Sequence, residues 1–590
     1  MCRAYTADCR RVAMFRKVTP AKRSGAVSSP EASEFLDIYD VVLNSKIHSC
    51  NLKSAEQHGK VHIGACNAIR LSILHSSFQC NEFAVKEHWG EQMNDICHPV
   101  IAIFNLDGGT ITVLDNLIDD WTPTEVSYPV WQPDGSGFMF VAMNEKPIKL
   151  GRLFCFNREC RLVSYSFKSG KAQFISPPGN AISSPRFSLD GTKLVYLATE
   201  IGGPHAKRIS DDDVILVNTV AKTNSDEEFP GLYAADLPHR CWSNDGKRVF
   251  MSSVWGSTMV ILSVDIENDH SWMLLDVAED YLLASVSSPN SPNRLALSHL
   301  PGKESNCQVK WLLFPETAGK RPFSRVENSF SENIPYEAIY LRPIGKDQYP
   351  LILWPHGGPH SAYLTSFALL PALFTSLGFA VLRVNYRGSF GFGEDFLRAL
   401  PGRVGKLDVL DCRHACDTVC EYDRRIDPNR IALFGASHGG FLALHLIGQF
   451  ARNFRACVAL NPVTNISAMY NCSDIPDWCV VEALGEDLKP GNVLDKQKQR
   501  VMWEASPIQY AEKVTTPTLF LLGKIDLRVP SSQCKEFISV LKSRNVPVRV
   551  LSYPENSHPL NKVDAECDFA LNALAWIDRW LKTTPEQQQQ

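Results

Sequence analysis

Gly435-Ala436-Ser437-His438-Gly439 sets a serine between two glycines, directly after the apolar run 431–434 and just before the apolar stretch 441–447. A serine in such a place sits on a sharp strand-to-helix turn that exposes its hydroxyl, and the glycines give the backbone room. The chemistry on offer is attack on a carbonyl carbon. Serine is a weak nucleophile at its free pKa and needs a base within hydrogen-bond reach, with a third group to orient that base. On this kind of turn the partners must follow in the order acid, then histidine. Asp526 comes just after the apolar run 517–523, and His558 just after the run 548–553. Both therefore stand in loops beyond strand ends, in the required order.

The roles follow from the chemistry. His558 takes the Ser437 proton and returns it to the leaving group, while Asp526 holds the imidazole and stabilises its charge. Asp474, Asp477 and Glu555 compete for the acid's place, and His356, His360, His438 and His445 for the base's. His438 and His445 lie on or beside the turn's own helix, too local to reach back, and His356 is better placed to shape a loop. A tetrahedral oxyanion needs two backbone N–H donors. His438, after the nucleophile, supplies one, and Gly358 in the loop Pro355-His356-Gly357-Gly358-Pro359-His360 supplies the other. Losing one such donor costs about 3–4 kcal/mol of barrier.

The elements that position these groups alternate from about residue 345 onward. Apolar strands at 349–354, 379–385, 431–434, 456–460, 517–523 and 548–553 are interleaved with helical stretches, and an amphipathic helix at 564–581 closes the series. Such alternation predicts a mostly parallel sheet with helices on both faces, an α/β-hydrolase architecture.

Residues 35–330 have another grammar, with short strands and many turns. Three hairpins recur there, centred on Asp134-Gly135, Asp190-Gly191 and Asp245-Gly246, with the aspartates 56 and 55 positions apart. Each has an aromatic residue before an Asp-Gly turn and a second strand after it. Regular spacing of one hairpin predicts radial β repeats, a β-propeller. The predicted organisation is a basic extension at 1–34, a propeller at 35–330, an α/β-hydrolase domain at 331–583 and a polar tail at 584–590.

With 590 residues the chain is too long for a single core. The hydrophobic content of 44%, charged content of 21% and net charge of −4 fit a globular protein and exclude a basic nucleic-acid binder. No apolar run approaches membrane-spanning length. Residues 1–24 carry seven Lys or Arg against one acid and lack the apolar core of a secretory signal. Eighteen cysteines without such a signal predict reduced thiols and a cytoplasmic location. Cys412, Cys416 and Cys420 lie at helical spacing and predict a packed stripe rather than a metal site. No metal, nucleotide or other cofactor motif is present, so none is expected.

Several stretches carry a resemblance. They are Pro355-His356-Gly357-Gly358-Pro359-His360-Ser361, Val384-Asn385-Tyr386-Arg387-Gly388-Ser389, Ser437-His438-Gly439-Gly440-Phe441, Arg544-Asn545-Val546-Pro547-Val548-Arg549, and above all Asp474-Ile475-Pro476-Asp477-Trp478-Cys479-Val480-Val481-Glu482-Ala483. With a propeller ahead of a hydrolase, the chain resembles the prolyl oligopeptidase family of serine peptidases, in its acylaminoacyl-peptidase branch. Glu87-His88-Trp89-Gly90-Glu91 and Ser183-Ser184-Pro185-Arg186 add a looser match in the N-terminal half. The resemblance implies removal of an N-acylated, typically N-acetylated, amino acid from short peptides, with Ser437, Asp526 and His558 as the triad. It also implies a propeller that screens out long chains, and a homo-oligomer. The chain departs from the family at Leu460 and Leu527, where arginine is usual, at His88, and in a shorter N-terminal half. Another peptidase of the same machinery, a carboxylesterase, or a propeller interaction protein with an idle hydrolase are the alternative readings.

Overall fold

A computed structural model of the chain describes residues 87–583 apart from breaks, the longest at 206–229, 266–275, 300–311, 315–324 and 329–335. Ahead of residue 87 it describes only the paths of five strands. The chain groups into two compact units. One comprises Met1–His88, Asp95–Lys149 and Glu159–Tyr196; the other comprises Trp89–Asn94, Leu150–Arg158 and Leu197–Gln590.

The first unit holds small antiparallel sheets. Arg3–Tyr5, Arg11–Arg16, Phe35–Asp40 and Ser45–Asn51 pair in chain order. The first two of these strands fall in the stretch read as a basic extension; the rest of that stretch, and the tail 584–590, lie outside the described residues. Ala68–Ser72, Pro99–Asn105 and Thr110–Leu114 form a second sheet, and Glu125–Trp131, Gly137–Met143, Cys160–Ser166 and Lys171–Phe174 a third. Ile101, Ile103, Phe138, Phe140 and Val163 pack into the core between them.

The three Asp-Gly turns share one hydrogen-bond scheme. The glycine N–H closes on the carbonyl three residues back, Gly135 to Gln132 at 3.0 Å, Gly191 to Ser188 at 2.9 Å and Gly246 to Ser243 at 2.9 Å. Each aspartate accepts from the N–H two residues on, at Ser136, Thr192 and Lys247. The glycines adopt φ of 70°, 71° and 64°, a region that only glycine enters freely. The first turn joins Glu125–Trp131 to Gly137–Met143 and the second Asn180–Phe187 to Leu194–Glu200. The third leads from a single bridge, Trp242 with Val249, into Arg248–Trp255. Among the described strands these sheets remain separate rather than joining into a closed one.

The second unit is built on an eight-stranded sheet. Its strands are β1 Arg325–Asn328, β2 Glu337–Arg342, β3 Tyr349–Pro355, β4 Ala380–Asn385, β5 Ile426–Ala436, β6 Ala456–Leu460, β7 Thr518–Gly523 and β8 Val548–Tyr553. They lie in the order β1-β2-β4-β3-β5-β6-β7-β8, and all pair in parallel from β4 to β8. β1 and β2 are antiparallel additions that periodicity does not reveal.

The central strands are buried on both faces, which is why they read as continuous apolar runs. Alternate residues face opposite layers. Leu351, Leu353, Leu433, Cys457 and Phe520 pack with helices α3 Leu407–Tyr422, α4 His438–Gln449 and α8 Lys535–Ser543. Ile352, Ala432, Val458 and Leu519 pack with α1 Leu369–Ser376 and α9 Val563–Lys582. Between them run α2 Glu394–Arg398, α5 Ile466–Tyr470, α6 Pro476–Leu484 and α7 Lys496–Glu504. Cys412 and Cys416 are buried on α3 and Cys420 is half-buried. No helix among the described residues is long and apolar enough to cross a membrane.

Candidate active site

Parallel α/β sheets present functional groups on the loops beyond the strand C-termini. Ser437 follows β5, Asp526 follows β7 and His558 follows β8. Ser437 has φ 57° and ψ −121°, a strained backbone for a residue with a side chain, and it caps α4. The strain is imposed by packing. A Cβ on Gly435 would meet the Gly439 carbonyl at 2.1 Å, and one on Gly439 would meet the Pro355 carbonyl at 2.4 Å. The Ser437 N–H is tied to the Leu460 carbonyl at 2.9 Å. That anchor is main chain, so it does not depend on the side chain at 460.

The side chains form one continuous line. Ser437 Oγ lies 2.9 Å from His558 Nε2, and His558 Nδ1 lies 2.7 Å from Asp526 Oδ2. Asp526 is buried, and its other oxygen accepts the N–H groups of Arg528 and Val529 at 2.9 and 2.8 Å. The competing acids lie elsewhere. Asp474 pairs with Arg528, Asp477 with Arg158 and His205, and Glu555 with Lys562.

The loop after β3 lies against the turn. A Cβ on Gly357 would come within 3.4 Å of the Ser437 Cβ. His356 fixes this loop: its Nδ1 meets the Gly357 carbonyl at 2.7 Å and its Nε2 meets Ser389 Oγ at 2.7 Å. Burial pushes its imidazole down to about 3, so the ring is neutral. Because the Gly357 carbonyl points at His356, the N–H of Gly358 in the same trans peptide points the opposite way. The Gly358 carbonyl accepts Trp478 Nε1 from α6 at 2.9 Å. His360 Nε2 meets Glu482 on the same helix at 3.1 Å. His438 contributes the first N–H of α4, which has no acceptor within its own helix. Its ring is buried, with Nε2 2.9 Å from Asp408.

Two residues essential to this geometry carry no catalytic motif. Glu91, from the short segment Trp89–Asn94, is buried; one oxygen accepts the Leu527 N–H at 2.9 Å and the other the His558 N–H at 2.8 Å. Asn461, just after β6, donates to the His558 carbonyl and accepts from the Gly523 N–H, both at 2.8 Å. Glu91 lies in the Trp-Gly-Glu run that sequence comparison singles out, but nothing in that run states what it touches. Among the described residues no three His, Cys, Asp or Glu side chains are placed to hold a metal ion.

The elbow after β5 and the serine–histidine–aspartate line across β5, β7 and β8 define a serine hydrolase of the α/β class. Residues 365–584 match the prolyl oligopeptidase family, and residues 81–320 match the N-terminal domain of acylamino-acid-releasing enzyme. The rat acylamino-acid-releasing enzyme is 34% identical over 94% of this chain and 85% of its own length. The Arabidopsis thaliana enzyme of the same name is 34% identical over 84% and 73%. In structure, an acylaminoacyl peptidase of Pyrococcus horikoshii superposes with a TM-score of 0.72 over 99% of this chain and 89% of its own, at 16% identity. The chain belongs to the prolyl oligopeptidase family of serine peptidases, in its acylamino-acid-releasing enzyme group. Its fold class is a β-propeller followed by an α/β-hydrolase domain.

Proposed function

We propose that this chain removes the N-terminal N-acylated amino acid, typically N-acetylated, from short peptides through an acyl-enzyme. Ser437 is the nucleophile, His558 the general base and then acid, and Asp526 the group that orients His558. The N–H groups of His438 and Gly358 form the oxyanion hole. The observation that carries this reading is the unbroken line from Ser437 through His558 to Asp526 in a chain of this family.

The reaction runs in two halves. Ser437 Oγ attacks the carbonyl of the acylated residue as His558 Nε2 takes its proton, and the oxyanion develops against the two N–H donors. His558 protonates the departing peptide amine, and water attacks the acyl-enzyme by the same route.

An acylated terminus is uncharged, whereas a free ammonium needs an uncommitted carboxylate. Among the described residues, the carboxylates of Glu91 and Asp474 are committed, and that of Glu482 is sealed from solvent. Both Glu91 oxygens accept main-chain N–H groups, Asp474 is paired with Arg528, and Glu482 is fully buried against His360. This disfavours dipeptidyl-type recognition and supports the acylated substrate. A cytoplasmic setting accords with eleven free cysteines among the described residues. Self-association, implied by kinship alone, is read by light scattering.

The test is hydrolysis of N-acetyl-alanyl p-nitroanilide beside alanyl p-nitroanilide, for wild type and Ser437→Ala. Cleavage of the acetylated amide alone, lost in the variant, is the expected result. Preference for the free amine overturns the proposal.

A further inference from the structure

A second reactive constellation lies apart from Ser437. Cys155 Sγ is 3.3 Å from His205 Nδ1, and His205 Nε2 is 2.7 Å from Asp477 Oδ2. Arg158 grips the same carboxylate, Nη1 to Oδ2 at 2.5 Å and Nη2 to Oδ1 at 3.3 Å, and also holds the Gly151 carbonyl. Thiol, imidazole and carboxylate in line is the arrangement that makes a sulfur nucleophile. The carboxylate draws the Nε2–H, which leaves Nδ1 to take the thiol proton. None of these residues has a role in the peptidase reaction.

The charges facing the sulfur reinforce the geometry. Burial alone would raise the Cys155 thiol, but His205, with Arg158 and Arg528, outweighs it and brings the thiol below its ordinary range. Burial likewise opposes a charged His205, but the Cys155 thiolate and Asp477 outweigh it and push the imidazole up to about 10. Asp474 sits behind Arg528 as its partner. Cys155 is only 6% exposed as a residue, so bulky disulfides are kept out and small oxidants are favoured.

The position of the constellation supplies a readout. Asp477 is the second residue of α6, and the next residue, Trp478, anchors the Gly358 carbonyl.

We propose that Cys155 is a modification site for small peroxides, and that its oxidation weakens reaction at Ser437 through α6. The readout at Ser437 rests on the serine-hydrolase reading; the site itself does not. The Cys155 thiolate attacks one peroxide oxygen, the S–O bond forms as the O–O bond breaks, and the released hydroxide takes the His205 proton to become water. Sulfur is oxidised by two electrons to the sulfenic acid, and peroxide is reduced. His205 is left neutral, and Asp477 loses one of its two cationic partners.

The test treats the whole chain at neutral pH with limiting hydrogen peroxide and then unfolds it in denaturant containing dimedone. Peptide mass spectrometry then reads the order in which sulfurs are trapped. Cys155 is expected ahead of the exposed Cys472 and Cys567, and His205→Asn slows it by at least about tenfold while leaving Cys567 unchanged. Labelling of Ser437 by a fluorophosphonate should fall in step with Cys155 oxidation, and Cys155→Ser should resist that loss. Trapping of Cys472 and Cys567 first overturns the site. Cys155 oxidation with undiminished Ser437 labelling overturns the coupling. The trapping order needs no substrate, so it stands or falls separately from the peptidase reading.

Discussion

The carboxylate of Glu91 accepts the main-chain N–H of His558 at 2.8 Å across 467 positions of sequence. Its second oxygen holds Leu527, next to Asp526. One buried side chain thus sets the spacing of the two loops that deliver the acid and the base. Glu91→Gln keeps one acceptor but turns its amide N–H toward a donor. We expect kcat to fall by about 10- to 100-fold with KM changed much less, since misplacing catalytic groups on this scale costs about that much. Glu91→Ala leaves two buried N–H groups unpaired and should cost about 1–3 kcal/mol or more in urea unfolding.

Ser437→Ala should lower kcat by about a millionfold, and Asp526→Asn by about ten-thousandfold through the wrong imidazole tautomer. Neither should move the thermal midpoint by more than a few degrees. Turnover and circular dichroism on the same preparations check both statements.

Asp408 is the hydrogen-bond partner of the buried His438 ring, whose Nδ1 has no partner of its own. Asp408→Ala strips the ring of its remaining bond and should cost about 1–3 kcal/mol of stability. It should also lower kcat, because the His438 N–H is a proposed oxyanion donor. Asp408→Asn, which keeps an acceptor, should recover most of both. Urea midpoints and steady-state rates measure the two effects.

His445 is buried on α4 with both ring nitrogens satisfied in the neutral form: Nε2 faces the Ala505 carbonyl at 3.1 Å and Nδ1 accepts from Gln449 at 2.9 Å. Burial depresses its imidazole from 6.5 to about 4. Its contribution to stability is therefore complete above 6.5 and is lost as the pH falls toward about 4, because only the unfolded chain takes the proton. His356, depressed to about 3 by burial, acts in the same direction. Urea midpoints should drop between pH 7 and 5, and the drop should be shallower in His445→Gln.

The parallel strands, the nucleophile turn and the positions of Asp526 and His558 were legible because each is a local pattern. An apolar run, a pair of glycines or a residue just past a strand end leaves its mark within ten residues. The antiparallel strands β1 and β2 were missed because short edge pairings carry weak periodicity. Helices α5 to α7 were missed because they are short, and they bury their apolar residues against one another and the main core, which are contacts that local periodicity does not record. Glu91, Asp408 and Asn461 were not assigned because their roles exist only through partners far away in sequence. The run from Asp474 to Ala483 stood out as a motif. Its use, with Trp478 holding Gly358 while Asp477 meets Cys155's partner His205, could be read only in three dimensions.

The segment Trp89–Asn94 belongs with the hydrolase unit although the chain makes it long before that unit. On a ribosome working at about 5–20 residues per second, Glu91 emerges roughly 20–90 seconds before the loop it must hold. Residues 331–583 expressed alone would carry every triad member and still lack the brace between two of them. The nascent chain is in this sense its own safety catch, since the cutting centre is assembled only when the last strand returns to one of the earliest segments.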